Sequence, residues 1–526
     1  MYTKQISASV YGVDGRLIEV EVDIANGLPQ VSVVGLPDPA VRESVERVRS
    51  AVKNCGFTFP LERITVNLAP ADLRKEGTAY DLAIAIGVLT ASGQINGDLF
   101  ANTLIIGELA LDGSIRAVPG VLPMAMEACS SGIRRVVLPQ CNYGEASLVE
   151  GMDLLPVSHL KEVAAGKSGV SEVTDITFTA NSKTDESLES IISQSNGSVQ
   201  EETYDKTDYS DVIGQHHAKR ALLTAAAGRH NILLSGPPGT GKTMLIRRLP
   251  GILPPLENDE SLEVTKIYSV SGKLVPGTAS LIRQRPFRSP HHTISAGGLI
   301  GGGTIPKPGE VTLAHRGILF LDELPEFSRN VLEVLRQPLE DRSVTIARTR
   351  AVFRYPSHFM LAASMNPCPC GYYGDESDPH RCTCTSNKIA AYRAKISGPL
   401  LDRIDLQVEV PRPGAYTAAP GMSSEQMLQL IMAARERQIT RRKKTGVGWN
   451  SELNGRALRE ACALKPDAET LLRQAYQSLG LSLRAHDRIL KLARTIADVN
   501  DRGDIEAEHI AEAIQYRCLD RRMETM

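Results

Sequence analysis

Between Ile18 and Ile24 the chain alternates strictly, with Ile18, Val20, Val22 and Ile24 on one face of an extended strand and Glu19, Glu21 and Asp23 on the other. Asp14-Gly15, just ahead, reads as a hairpin turn. Asp38 followed by Pro39 marks a helix start, and Gly56 after Cys55 marks its end. Apolar runs at Ile64–Leu68, Leu104–Ile106 and Val136–Leu138 read as further strands. They are interleaved with helical stretches over about 79–92 and 120–131, which gives an α+β domain across residues 1–165.

From 166 to 207 the pattern gives way to Ser, Thr, Asn, Asp and Glu. Such a stretch buries too little apolar surface to offset its ordering entropy and reads as a flexible linker. Pattern resumes with a helix from His217 to Gly228. The runs Asn231–Ser235, Gly317–Leu321 and Phe359–Asn366 have the character of buried parallel strands, so residues 208–415 read as an α/β core. From Ser423 onward only helical periodicity remains, over about 423–439, 455–463, 466–479, 484–498 and 505–518, with Pro466 and Ser482 as starts. Residues 416–526 therefore read as a helical lid. The basic run Arg441-Arg442-Lys443-Lys444 within it reads as a solvated helix face.

A chain of 526 residues exceeds a single hydrophobic core. Its 42% hydrophobic and 23% charged residues are those of a soluble globular protein. No apolar window reaches about 18 residues, and the opening Met1–Gln5 leads into a strand, so a cytoplasmic protein without membrane contact is expected. Nine cysteines are too few for a disulfide framework at this length. With a net charge of −2, any contact to nucleic acid must come from local basic patches.

The chemistry centres on Gly236-Pro237-Pro238-Gly239-Thr240-Gly241-Lys242-Thr243, set between the Asn231–Ser235 strand and a helix beginning at Met244. This is a P-loop. Its glycines let backbone N–H groups converge on phosphates, Lys242 reaches the β- and γ-oxygens, and Thr243 is suited to a magnesium shell. The apolar strand Gly317–Leu321 ends in Asp322 and Glu323. Asp322 is placed to share the magnesium shell, and Glu323 to orient an attacking water. ATP and Mg2+ are the expected cofactors.

Several stretches resemble known families. Tyr209–Gln215 resembles the adenine-side segment of AAA+ ATPases, and Asn366 falls where they carry a polar sensor of the γ-phosphate. Ser397-Gly398-Pro399-Leu400-Leu401-Asp402-Arg403-Ile404-Asp405 matches a motif of the magnesium-chelatase and MCM-like branches. That match implies that Arg403 is donated in trans to a neighbour's nucleotide and that Arg484 is the second sensor. Lys75–Ala83, Gly107–Leu109 and Arg116–Gly120 resemble the frame of the Lon-type protease domain. The serine position of its Ser-Lys dyad falls here on Ala79, and the lysine region, Gly120–Met124, holds no lysine, so proteolysis is not expected.

Arg285–Thr293, Gly297–Gly303 and Asn366–Gly371 extend the resemblance to the ComM/YifB group of magnesium-chelatase-like AAA+ proteins. The resemblance implies a P-loop AAA+ core with a C-terminal helical lid behind a Lon-protease-like domain. It also implies a homo-hexameric, ATP-driven motor on branched or single-stranded DNA, of the helicase or branch-migration type, acting in recombination or natural transformation. A chelatase-type protein-remodelling ATPase is the alternative.

DNA contacts are expected from Arg348 and Arg350, at the tip of a hairpin formed by Val344–Ala347 and Ala351–Arg354, and from Arg285 and Arg288 in a basic loop facing the ring's pore. His291 and His292, adjacent in an extended segment, converge poorly on one ion and belong to the same loop. Cys368, Cys370, Cys382 and Cys384 form two C-x-C pairs. They read either as a tetrahedral zinc site, with His380 as a substitute ligand, or as free or redox-active thiols.

Overall fold

The computed structural model describes residues 1–164, 207–275, 277, 279–303, 306–348, 351–374, 382–412, 421–478 and 482–517. All but the last residue of the expected linker, 166–207, lies outside them. Contacts divide the chain into two compact units, Met1–Glu201 with Ser261–Ile282, and Glu202–Glu260 with Arg283–Met526.

In the first unit seven strands form one sheet, in the order Gln30–Val34, Arg63–Ala69, Asp14–Ala25, Tyr2–Tyr11, Thr103–Ile105, Arg135–Pro139 and Asp153–Val157. Alternate residues of one strand serve opposite faces. Ile18, Ile105 and Val137 pack in one apolar cluster, with the helices Pro39–Asn54 and Asp81–Ala91. Leu17, Leu104, Val136 and Leu138 join another, with the helix Val121–Ser130. Asp38 caps its helix as expected, its carboxylate accepting from Val41 N–H at 2.8 Å. The hairpin turn differs from expectation. Tyr11 already pairs with Asp14, and the left-handed residue is Gly12 at φ +69°, so Asp14-Gly15 begins the second strand instead of making the turn.

Ser261–Ile282 belongs to this unit through polar contacts that periodicity does not reveal. Lys266 Nζ lies 2.7 Å from Asp14 Oδ1, Gly120 N–H donates to Ser269 O at 3.1 Å, and the Ser269 hydroxyl bonds the Glu145 carboxylate. Ala79, at the Lon-type serine position, is 8% exposed and carries no nucleophile.

The second unit is built on five parallel strands in the spatial order Phe287–Arg288, Ile318–Leu321, Met360–Met365, Ile232–Ser235 and Leu406–Glu409. Ile232 and Leu234 pack in one core with Ile318, Phe320, Ala362 and Leu406. The same core takes in Ile431, Leu458, Ile489, Ile496 and Ile510 from the C-terminal helices. These helices, Ser424–Thr445, Gly455–Ala461, Pro466–Ser478, Leu483–Val499 and Ala507–Gln515, each start within about two residues of the expected position. Ser423 accepts from Gln426 N–H, and Ser482 from Ala485 N–H. Among the described residues no helix is long and apolar enough to cross a membrane.

Candidate nucleotide site

The first strand in sequence, Ile232–Ser235, lies between the fourth and fifth, so the crevice at its carboxyl end is where an open parallel sheet receives a ligand. Gly236–Thr243 emerges there. Gly241, at φ +84°, turns the chain into the helix Lys242–Arg247, a left-handed position open to glycine at little cost. Lys242 Nζ donates to the carbonyls of Gly236 and Pro237, both at 2.7 Å, and to Asn366 Oδ1 at 3.3 Å. Burial pulls the Lys242 pKa down to about 8, against the opposing charges of Asp322 and Glu323. Thr243 Oγ1 donates to Asp322 Oδ2 at 2.9 Å, so two hard oxygen ligands stand together, as a magnesium shell requires. Gln215 ties the adenine-side segment to this loop, donating to Thr240 O at 3.4 Å and Pro411 O at 2.7 Å.

Ser364 also belongs to the site, although no motif in the sequence marks it. Its hydroxyl bonds Asp322 Oδ1 and accepts from Glu323 N–H at 3.3 Å, fixing Asp322 from the neighbouring strand. The available signal is a lone hydroxyl in the otherwise apolar run Met360–Met365. Glu323 is exposed and left-handed at φ +53°, which is uncommon for a residue with a Cβ, and its backbone is held by Asp322 and Ser364.

Arg403 and Arg484 lie elsewhere. They line a cavity of about 200 Å³ with Arg229, Arg342, Arg488 and Lys491. Asn231, Phe359 and Asp405, which border it, immediately precede strands of the parallel sheet, so this cavity is at the amino ends of the strands and the P-loop is at the carboxyl ends. A four-residue strand separates the two by about 13 Å. Two carboxylates face the six cations. Asp405 is buried, which favours the acid, but His230, Arg488 and Lys491 overcome this and hold its pKa at about 2. Glu340, 57% exposed, is ion-paired with Arg403, which also donates to Pro399 O at 2.6 Å.

The expectation that Arg285 contacts DNA is corrected. Its side chain is buried and donates to Pro254 O at 2.6 Å, Arg316 O at 2.7 Å and Glu260 Oε2 at 2.8 Å, with Trp449 beneath it at 5.7 Å. All its donors face inward, and its role is to hold the fold. Arg288 forms a two-pronged ion pair with Glu310 at 2.6 and 2.9 Å, so its charge is matched locally and it does not join a basic patch with Arg285. Arg441, read as part of a solvated face, turns inward to Asp498 at 2.6 Å. Ser343–Arg348 and Ala351–Pro356 do form an antiparallel hairpin. Arg350 and the side chain of Arg348 lie outside the described residues.

The four cysteines converge. Cys368 Sγ is 3.3 Å from Cys370 Sγ and 3.7 Å from Cys382 Sγ, and all four sulfurs lie within 4.8 Å of one another. Zinc–sulfur bonds of about 2.3 Å in a tetrahedron put sulfurs about 3.8 Å apart, so the donor set fits zinc. His380 lies outside the described residues. The cluster adjoins the nucleotide loop: Gly371, at φ +89°, sits so close to Pro238 that an added Cβ would meet its ring at 2.7 Å.

A parallel sheet carrying a P-loop, an acidic strand end and a polar sensor, continuous with a helical lid, defines a P-loop AAA+ protein. Family models described as magnesium chelatase subunit ChlI match residues 208–417 and 20–142, and one for the ChlI C-terminal region matches 421–517. The chain is 43% identical to YifB of Escherichia coli over 97% of its own length and 96% of that protein's. It is 42% identical to the competence protein ComM of Haemophilus influenzae over 99% and 98%. A shorter similarity, 27% identity over 30% of this chain and 31% of the other, links it to Lon protease 2 of Bacillus subtilis. The chain belongs to the ComM/YifB family of magnesium-chelatase-like AAA+ proteins, whose use of ATP and Mg2+ its site residues fit.

Proposed function

We propose that this protein is a ring-forming ATPase that couples ATP hydrolysis to movement on DNA, with each active site shared by two subunits. The observation that carries this reading is the separation of Arg403 and Arg484 from Lys242, Asp322 and Asn366 by the length of the parallel strands. Cations so placed do not reach their own P-loop, whereas stacking subunits head to tail brings them to a neighbour's triphosphate. There they neutralise charge on the transferring phosphoryl group, a contribution worth on the order of a thousandfold or more in rate. Lys242 holds the β- and γ-phosphates, Thr243 and Asp322 hold magnesium, and Glu323 and Asn366 orient the water. Zinc at the four thiolates orders the loop beside Pro238 and so steadies the P-loop.

DNA as the track, and a role in natural transformation or recombination, are part of this reading; what supports them is the near full-length similarity to a protein named for competence. The first unit acts as a scaffold without proteolysis, since Ala79 supplies no nucleophile. The deciding experiment is the ATPase rate of the purified protein with no DNA, duplex, single-stranded and branched DNA. Stimulation by DNA supports the motor; a rate indifferent to all three favours a protein-remodelling ATPase.

A further inference from the structure

Glu340 is the carboxylate at the mouth of the cation-lined cavity, ion-paired with Arg403. The hydrogen bond from Arg403 and its charge, with a further contribution from Arg484, hold the Glu340 carboxyl below its ordinary pKa. Its field is therefore shared by the two arginines that the proposed shared site would turn toward a neighbour's phosphate. The other carboxylate, Asp405, is deeply buried against His230 and Arg488, whereas Glu340 is 57% exposed.

The position of Glu340 in the chain adds a mechanical consequence. It lies on the helix Arg336–Asp341, and a single residue, Arg342, joins that helix to the hairpin Ser343–Pro356. Arg342 is left-handed at φ +55°. Its N–H donates to Pro338 O at 3.0 Å, and its carbonyl accepts from Ser357 N–H at 2.9 Å. The junction is pinned from both sides, so a displacement of the helix carries the base of the hairpin with it.

We propose that Glu340 is an internal counter-ion standing where a neighbour's γ-phosphate will act, and that exchange of carboxylate for phosphate on Arg403 moves the hairpin. This rests on the trans role of Arg403. Glu340 is a positioning residue in this scheme, since it acts through Arg403 and the helix, without touching nucleotide. An incoming triphosphate competes with the carboxylate for the same guanidinium. The freed helix end then passes the event to the hairpin, and in reverse a load on the hairpin changes how readily Arg403 is released.

The test uses full-length protein carrying Glu340→Gln, Glu340→Asp, Arg403→Ala, and Arg403→Ala with Glu340→Gln. An ion pair this exposed is worth a modest factor, so Glu340→Gln should raise the DNA-free ATPase rate about two- to fivefold. It should also remove most of the stimulation by DNA and lower the Hill coefficient for ATP. Glu340→Asp should restore coupling in part. In the Arg403→Ala background Glu340→Gln should have no further effect, which separates action through Arg403 from a structural role. If Arg403→Ala is inactive while Glu340→Gln matches the parent in rate, stimulation and Hill coefficient, the counter-ion idea is overturned and the trans arginine stands. If Arg403→Ala keeps full activity, the shared site itself is wrong.

Discussion

Thr243 Oγ1 and Asp322 Oδ2 stand 2.9 Å apart although 79 residues separate them in sequence, one on the P-loop helix and the other at the end of the acidic strand, which the strand Met360–Met365 separates from the P-loop strand in the sheet. Ser364 fixes Asp322 from a third element, so the metal-binding corner is braced before a nucleotide arrives. Ser364→Ala should therefore leave the fold intact, weaken magnesium dependence and lower the ATPase rate by about tenfold, the order of a lost hydrogen bond to a charged group. A titration of rate against Mg2+ reads this directly, and an unchanged midpoint would argue against the brace.

Lys242→Ala should abolish nucleotide binding, and Glu323→Gln should keep binding but trap ATP, because the first removes phosphate neutralisation and the second the water-orienting carboxylate. Equilibrium binding and steady-state turnover separate the two effects. Normal turnover in either variant would overturn the site.

The depressed Lys242 pKa gives a pH signature with a defined sign. Burial brings it down to about 8, below its ordinary value, so between pH 8 and about 10.5 the unfolded chain binds more protons at this group. Its contribution to the stability of the nucleotide-free protein therefore rises with pH across that window. A bound triphosphate favours the ammonium. ATP binding should then take up a proton at pH 8 to 9, and affinity should fall as pH rises from 7 to 9. Calorimetry in buffers of different ionisation enthalpy measures the uptake, and Lys242→Arg should eliminate it.

The four thiolates predict bound zinc near one equivalent per chain. Cys382→Ser should lower that stoichiometry and, through the Gly371 and Pro238 contact, weaken ATP binding more than it disturbs the first unit. Metal analysis together with nucleotide titration tests both halves. Protein that purifies metal-free and binds ATP normally would leave the cysteines as thiols.

The sequence was most legible where local chemistry and fold agree. Ile232–Ser235, Ile318–Leu321 and Met360–Met365 are buried on both faces and read as unbroken apolar runs, and Asp38, Ser423 and Ser482 cap helices at the expected places. It was least legible where a polar side chain turns inward. Arg285 sits in a stretch that looks basic and solvated, yet Glu260, two prolyl carbonyls and Trp449 engage it, none of them adjacent in sequence. Likewise Arg403 and Glu340 are 63 residues apart, and no periodicity announces their pairing.

That difference between inward and outward arginines separates two roles in the last prediction. Arg285→Ala removes a buried guanidinium that bonds Glu260 and leaves that carboxylate to Arg229 and Arg316, and losing such a hydrogen bond between charged groups costs about 1.5–3 kcal/mol. Its expected effect is a lowered melting temperature, with any loss of DNA binding following from unfolding. Arg348→Ala with Arg350→Ala, in the stretch expected to form the hairpin tip, should leave DNA-free ATPase activity and the melting temperature near those of the parent. It should reduce DNA affinity and flatten its salt dependence, since each phosphate contact contributes roughly 0.7 to 0.9 to the logarithmic slope. Thermal melts and DNA titrations at several salt concentrations distinguish the two variants. A hairpin double mutant that binds DNA with the parent's slope would remove the hairpin as the gripping element, and a folded Arg285→Ala protein with selectively lost DNA affinity would return Arg285 to the interface.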